Sequence, residues 1–284
     1  MITVLTPTYN RAHTLPRLFQ TLCNQINQEF EWLIIDDGSN DDTEQLIASY
    51  LEKSSFKIIY IKKSNGGKHT ALNLGFNKAS FEWVFIVDSD DWLDSNTIDR
   101  LTLEIQDLSY KYNSICILRA YKDGCIIGDR FPENIATYID RMNRSITGDK
   151  ADVIRKSALD GFFFPEYTTE NFMAESPLFL WLGSKGKTRF INFPGYICEY
   201  LAEGLSANSI SNRHRCVNST LFVYETQYIA HDSFKLRSRA AINWWRFRAF
   251  KRIGKKNNLI PIAYSPFGIS LYVIDKIKAK VSIK

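Results

Sequence analysis

Four short, mostly apolar runs, separated by segments of helical period, constrain this chain more than any other feature. Ile2–Thr6, Trp32–Ile35, Lys57–Ile61 and Trp83–Val87 each read as a strand. Runs that are apolar without alternation are buried on both faces, as in a parallel sheet covered by helices. Between them, Leu15, Leu18, Phe19, Leu22 and Ile26 recur at helical spacing. Asp41 and Glu44 form an N-cap and capping-box pair for a helix through about Lys53, and Thr70–Ala79 reads as a third helix. The order β-α-β-α-β-α-β predicts a doubly wound, Rossmann-like α/β fold with a mostly parallel sheet.

Past residue 100 the pattern predicts a central strand at Ile115–Ala120, helices at Asp149–Leu159 and Asn171–Leu182, and an extended segment from Arg189 to Tyr200. Residues 213–257 read as one long or broken helical stretch. A domain boundary is expected near Asn212, giving an α/β domain over 1–212 and a helical extension over 213–284. A chain of 284 residues that is 45% apolar and 24% charged supports one large or two modest domains and excludes wholesale disorder. Five cysteines without a CxxC pair suit a reducing compartment. Residue 2 already opens a β-branched run, so no signal peptide is expected.

Charge is segregated. From Ser233 to Lys284 there are 13 Lys or Arg and one acid, Asp275, so the net +5 divides into +12 there and −7 over residues 1–232. A basic tail on an acidic body points to a polyanionic partner. Around residue 250, Arg248, Lys251, Arg252 and Lys255 share one arc of a helical wheel, and Ile242, Trp245, Ala249, Phe250 and Ile253 another. Basic residues beside Trp and Phe suit a helix lying on an anionic membrane, unless the aromatic face packs on protein. The uncharged stretch Leu259–Ile274 contains two prolines and falls short of the roughly 20 residues needed to span a bilayer. No nucleic-acid recognition motif accompanies the charge.

In open α/β sheets ligands bind beyond the carboxyl ends of the strands. Three polar clusters fall there: Pro7-Thr8-Tyr9-Asn10-Arg11, Asp36-Asp37-Gly38-Ser39 and Asp88-Ser89-Asp90-Asp91. Because Asp41 already supplies a helix cap, Asp36 and Asp37 are left without a local task, which points to a ligand. In an extended segment Asp88 and Asp90 share a face and converge on one ligand. Hard oxygen donors of this kind suit Mg²⁺ or Mn²⁺, which neutralises a diphosphate.

These clusters, together with Thr43 and with Asn65-Gly66-Gly67 followed by Asn73 and Gly75, resemble glycosyltransferase family 2 in order and spacing over residues 1–100, and more loosely to about residue 205. The resemblance implies a GT-A fold and an inverting, metal-dependent transferase of nucleotide sugars, with residues 1–100 as the nucleotide-binding half and 101–212 as the acceptor side. It implies that Pro7, Thr8 and Tyr9 line the nucleotide pocket and that Asp37 accepts from the base, a uracil N3–H. Asp88 and Ser89 would lie by the ribose and diphosphate, Asp90 on the metal, and Lys68 and Asn73 in the donor site. Many members have Ala-Arg-Asn where this chain has Ala71-Leu72-Asn73, a lost arginine for which Lys68 compensates.

Members often place a catalytic base in a Glu-Asp pair at a helix start. Here Ala174-Glu175-Ser176-Pro177 has Ser176 at the second acid, so Glu175 is the expected base, with Glu170 and Glu166 in reserve. His13, His69, His214 and His231 lack metal-site spacing. Some GT-A enzymes put a histidine on the metal after the acceptor region, which would be His214.

The expected function is transfer of a sugar from a UDP-linked donor to a glycan or lipid-linked glycan in bacterial surface polysaccharide assembly, by a cytoplasmic protein peripheral on the inner face of the membrane. A sugar nucleotidyltransferase would carry a Gly-rich signature after the first strand, where this chain has Pro-Thr-Tyr-Asn. The rival from another class is a non-catalytic nucleotide-sugar or polyanion-binding module.

Overall fold

The computed structural model describes residues 1–199, 208–249 and 259–281. Two compact units form: Met1–Phe164 with Trp181–Ala202, and Pro165–Leu180 with Glu203–Lys284.

The first unit opens with β1 (Ile2–Thr8), α1 (Leu15–Cys23), β2 (Phe30–Asp36), α2 (Thr43–Leu51), β3 (Lys57–Lys62), α3 (Lys68–Lys78) and β4 (Trp83–Ile86). The β-α alternation read from the sequence is therefore present, and β1, β2 and β4 are buried at every position. After it come β5 (Trp92–Leu93), α4 (Thr97–Gln106), β6 (Tyr112–Ala120), α5 (Tyr138–Asn143) and β7 (Lys150–Arg155). Next are α6 (Ser176–Lys185), whose residues divide between the two units, and β8 (Lys187–Ile197). One eight-stranded sheet runs β3-β2-β1-β4-β7-β6-β8-β5. The β3-β2-β1-β4 half is wholly parallel. β7 is antiparallel to both β4 and β6, and β5 is antiparallel to β8.

The largest departure from expectation is Asp149–Leu159, which is the inner strand β7 followed by a short 3₁₀ turn over Lys156–Leu159 rather than an α-helix. Lys150 and Asp152 interrupt its apolar run, yet both are buried. Lys150 Nζ donates to the carbonyls of Ile127 and Asp129 at 2.8 Å, and the Tyr138 hydroxyl donates to Asp152 Oδ1. These partners come from elsewhere in the chain, so no local pattern announces the strand. The helix expected from Asn171 begins only at Ser176, where Pro177 occupies the first turn and its missing N–H costs nothing. Asp42, not Asp41, occupies the N-cap position of the helix after β2, and its side chain makes no capping bond. Asp41 instead accepts from Thr43 N (3.2 Å) and Oγ1 (2.6 Å) through Oδ1, and from Ala12 N (2.9 Å) through Oδ2, while Glu44 pairs with Lys62 at 3.1 Å.

The second unit holds α7 (Ser209–Arg215), α8 (Val217–Ala230), α9 (Phe234–Arg248) and α10 (Ser265–Val281). The long stretch is thus broken, at Cys216 and again at residues 231–233. Val217, Leu221, Tyr228, Ala240, Ala241, Trp244 and Phe247 form its core. Ala249 is buried and Trp245 Nε1 donates to the Pro261 carbonyl at 3.0 Å. Within the described residues, the aromatic side of α9 therefore packs on protein. Phe250, Lys251, Arg252, Ile253 and Lys255 lie outside them. No helix among the described residues is long and apolar enough to cross a membrane.

The Tyr138–Asp152 contact generates a test of the fold. Tyr138→Phe keeps the ring but strips a buried carboxyl of its donor, and should lower unfolding stability by about 1–3 kcal/mol in urea titration.

Candidate functional site

Because β1, β2 and β4 are parallel, their carboxyl ends share one edge of the sheet. Thr8 stands opposite Asp36 in register, Asp37 N donates to the Thr8 carbonyl at 2.8 Å, and Val87 N donates to Leu5 at 2.9 Å. The loops leaving β1 and β2 are tied together. Asn10 N donates to Ser39 Oγ and Asn40 N to Asn10 Oδ1, both at 2.8 Å. Asn10 adopts φ 53°, in the left-handed region that asparagine tolerates better than most residues. Pro7 and Thr8 are buried and Tyr9 is 45% exposed. The Thr8 hydroxyl is buried with no hydrogen-bond partner among the described residues. Such an atom marks a place where a ligand would complete the structure.

Asp36 and Asp37 do have local tasks, contrary to expectation. Asp36 Oδ1 accepts from Ser39 N at 2.8 Å and Oδ2 from the Tyr60 hydroxyl at 2.5 Å. Asp37 Oδ1 accepts from Gly66 N (2.9 Å) and Lys63 Nζ (2.8 Å), and Oδ2 from Gly67 N (2.6 Å). Asp37 thereby draws the Asn65-Gly66-Gly67 loop, which leads into α3, against the end of β2. Gly38 makes the approach possible: it has φ +86°, and a Cβ there would lie 2.9 Å from Asn65 N.

The acidic cluster after β4 is a turn rather than an extended segment, closed by Asp91 N donating to the Asp88 carbonyl at 3.1 Å. Asp88 and Asp90 therefore do not share a strand face. Lys68, at the start of α3, lies 2.5 Å from Asp88 Oδ1, and Arg119 Nη2 lies 3.6 Å from Oδ2. Burial opposes ionisation of Asp88, but Lys68 and Arg119 outweigh it and hold the carboxyl below its ordinary range. Asp91 meets Arg119 Nη1 at 3.3 Å and the Tyr196 hydroxyl at 2.8 Å. Burial, then the charge of Asp88, pushes it up to about 7. Ser89 is buried. Asp90 is the least tightly paired member: its side chain is 26% exposed against 21% for Asp88, with Arg11 Nη2 3.9 Å away, and its carbonyl accepts from Arg17 at 2.7 Å.

Arg119 and Tyr196 are the residues that sequence reasoning missed. Arg119 is largely buried under the turn, stacked 4.2 Å from the Tyr196 ring centroid and donating through Nε to the Lys150 carbonyl at 3.0 Å. The Tyr196 hydroxyl also accepts from Asp88 N at 2.9 Å. The available signal was an arginine inside the predicted strand Ile115–Ala120, because a charge in a buried run needs a counter-charge nearby.

The other expected site residues have partners of their own or stand in the second unit. Asn73 exchanges hydrogen bonds with the backbone of Phe164, at 2.9 and 3.0 Å, and so anchors that segment. Glu175, half-buried immediately before α6, belongs to the second unit. Glu170 caps α8, accepting from Asn218 N at 2.8 Å and Ser219 N at 2.7 Å, which makes it a structural carboxylate. Glu166 is exposed. His214 Nε2 lies 2.7 Å from Asp275 Oδ2 in the helical unit.

Among the described residues no group of three His, Cys, Asp or Glu is placed to hold a metal ion. Magnesium-type cations instead take one or two carboxylates together with water and substrate phosphate, and the loosely paired carboxylate of Asp90 fits that role.

A family model, Glycosyl transferase family 2, matches residues 3–159. The chain belongs to glycosyltransferase family 2. Relatives of this family 2 chain extend well beyond the matched stretch. Glycosyltransferase GlyA of Streptococcus pneumoniae is 32% identical over 104 residues, 37% of this chain and 15% of GlyA. The poly(ribitol-phosphate) beta-N-acetylglucosaminyltransferase TarS of Staphylococcus aureus is 33% identical over 97 residues, 34% of this chain and 17% of TarS. Solved structures share the GT-A fold. TarS 1–349 in complex with UDP-GlcNAc superposes with a TM-score of 0.65 at 19% identity, covering 95% of this chain and 79% of that one. The mannosyltransferase PcManGT of Pyrobaculum calidifontis, in complex with GDP-Man and Mn²⁺, gives 0.58 at 14% identity, covering 100% and 80%.

The buried network predicts that Arg119→Gln lowers stability by about 3–5 kcal/mol, since it leaves Asp88 and Asp91 undercompensated. Adding Asp91→Asn should recover part of that loss, measured by a urea double-mutant cycle.

Proposed function

We propose that this protein transfers a sugar, with inversion, from a UDP-linked donor to the hydroxyl of a glycan or lipid-linked glycan in bacterial surface polysaccharide assembly. The observation that carries the reading is the convergence of three polar loops at the ends of β1, β2 and β4, with the unpartnered Thr8 hydroxyl among them. The UDP-GlcNAc bound in the TarS structure, and the glycosyltransferase names of the relatives, support a nucleotide-sugar donor.

In this reading Pro7, Thr8 and Tyr9 line the nucleotide pocket. Asp37 accepts three hydrogen bonds from the protein, and a carboxylate has about four acceptor positions, so one remains for a uracil N3–H. Lys68, already paired with Asp88, supplies positive charge beside the diphosphate. Asp90 and the diphosphate would hold Mg²⁺ or Mn²⁺, which when bound neutralises charge on the leaving group. The Mn²⁺ in the PcManGT complex supports that assignment.

Glu175 is the proposed base. Its carboxylate takes the proton of the acceptor hydroxyl as that oxygen bonds to the sugar C1 and the C1–O bond to the diphosphate breaks. Such a displacement proceeds through an oxocarbenium-like state. The basic C-terminal region would hold the protein to an anionic membrane surface where lipid-linked acceptors lie.

Two variants separate the roles. Asp90→Ala should abolish transfer and remove the Mn²⁺ enhancement of UDP affinity in calorimetric titration; a folded variant with wild-type turnover refutes the metal assignment. Glu175→Gln should leave UDP affinity unchanged and lower the transfer rate on the order of 10²–10⁴-fold. Full activity in that variant would move the base to another carboxylate.

A further inference from the structure

The basic C-terminal region contains a helix whose outward side is apolar. Along α10, Phe267 is 62% exposed, Ile269 37%, Val273 46%, Ile274 45% and Ile277 57%. At about 100° per residue these five side chains fan over roughly 160° of one helical side. Lys276 and Lys278, both exposed, stand at the two margins of that arc.

The opposite side of the helix is committed to its own unit. Gly268 brings α10 against α9 so closely that a Cβ there would lie 2.5 Å from Trp245 Cβ and 2.7 Å from Arg246 N. Asp275, the one acid of the helix, is turned into this contact. Its oxygens meet Arg246 Nη2 at 2.5 Å and His214 Nε2 at 2.7 Å. Arg246 thus neutralises the only negative charge that α10 carries, and His214 hydrogen-bonds it. The exposed surface of the helix is left with apolar groups, cations and Ser270, whose hydroxyl donates back to the Pro266 carbonyl at 2.9 Å.

We infer that this side of α10 is the surface that docks on an anionic lipid bilayer, its five apolar side chains entering the headgroup–acyl boundary and Lys276 and Lys278 reaching the anionic headgroups. Apolar insertion flanked by lysines is the arrangement that binds such an interface, and an internally neutralised acid removes the charge that lipid phosphate would repel. The assignment rests on the membrane reading of the basic region given above, and places binding on α10 rather than on the aromatic side of α9, which is packed inside.

The test is flotation of the full chain with vesicles of phosphatidylglycerol and phosphatidylcholine against vesicles of phosphatidylcholine alone. The wild type should float with the anionic vesicles and at least tenfold less with the neutral ones. The triple substitution Phe267→Ser, Ile274→Ser, Ile277→Ser should lower flotation at least tenfold, and Lys276→Gln with Lys278→Gln should lower it severalfold. UDP-induced thermal stabilisation, read in the other unit, should stay as in the wild type, and the lysine pair serves as the measurement if the triple variant fails to fold. Wild-type flotation by both variants would overturn the assignment to α10 while leaving membrane binding in place. Absence of flotation by the wild type would overturn the membrane reading itself. A dimer in light scattering that the triple variant converts to monomer, without flotation by either, would make the face a contact between copies and overturn the lipid proposal.

Discussion

The first unit depends on the neutralisation of acidic charge buried at the carboxyl edge of its sheet. Asp88 and Asp91 are held within one turn, and neither would be tolerated there alone. Lys68 arrives from the start of α3, Arg119 from the inner strand β6, and Tyr196 from β8. The turn after β4 is therefore welded to three elements that are remote in sequence. Those partners engage Asp88 and Asp91 closely, whereas Arg11 stands 3.9 Å from Asp90, and the division of labour within the acidic cluster follows from that.

A second set of contacts shapes the other side of the edge. Asp37 gathers two backbone amides and a lysine from the loop before α3, and Ser39, Asn40 and Asp41 hold the loop after β1. A rigid rim results, in which loop positions are fixed by hydrogen bonds rather than by apolar packing. Preorganisation of this kind lets a small number of side chains orient a ligand without ordering costs at the moment of binding. The buried, unpartnered Thr8 hydroxyl lies on this rim.

The helical unit obeys a different logic. Its core is built from Trp244, Phe247 and the facing side of α8, and Trp245, which looked available for lipid on a helical wheel, is half-buried against that core. Asp275 ties α10 to α7 and α9 by pairing with His214 and Arg246. The same ion cluster that fastens the helix inward determines the chemistry of what it shows outward.

Much of this was legible from the chain alone, for a physical reason. Periodicity and turn chemistry are local: the unalternating runs marked β1, β2 and β4, and the polar residues that follow them had to emerge together once those strands were parallel. The α/β architecture follows from that local grammar, and the family from the resemblance of the loop motifs. Other features depend on partners far away in sequence. Strand β7 stayed hidden because Lys150 and Asp152 are satisfied by Ile127, Asp129 and Tyr138. The tasks of Asp36 and Asp37, the clamp of Arg119 on the acidic turn, and the exposed side of α10 were equally invisible. Each was decided only in the tertiary structure, because whether a buried charge is tolerated, or an apolar side left uncovered, depends on what the rest of the chain brings to it.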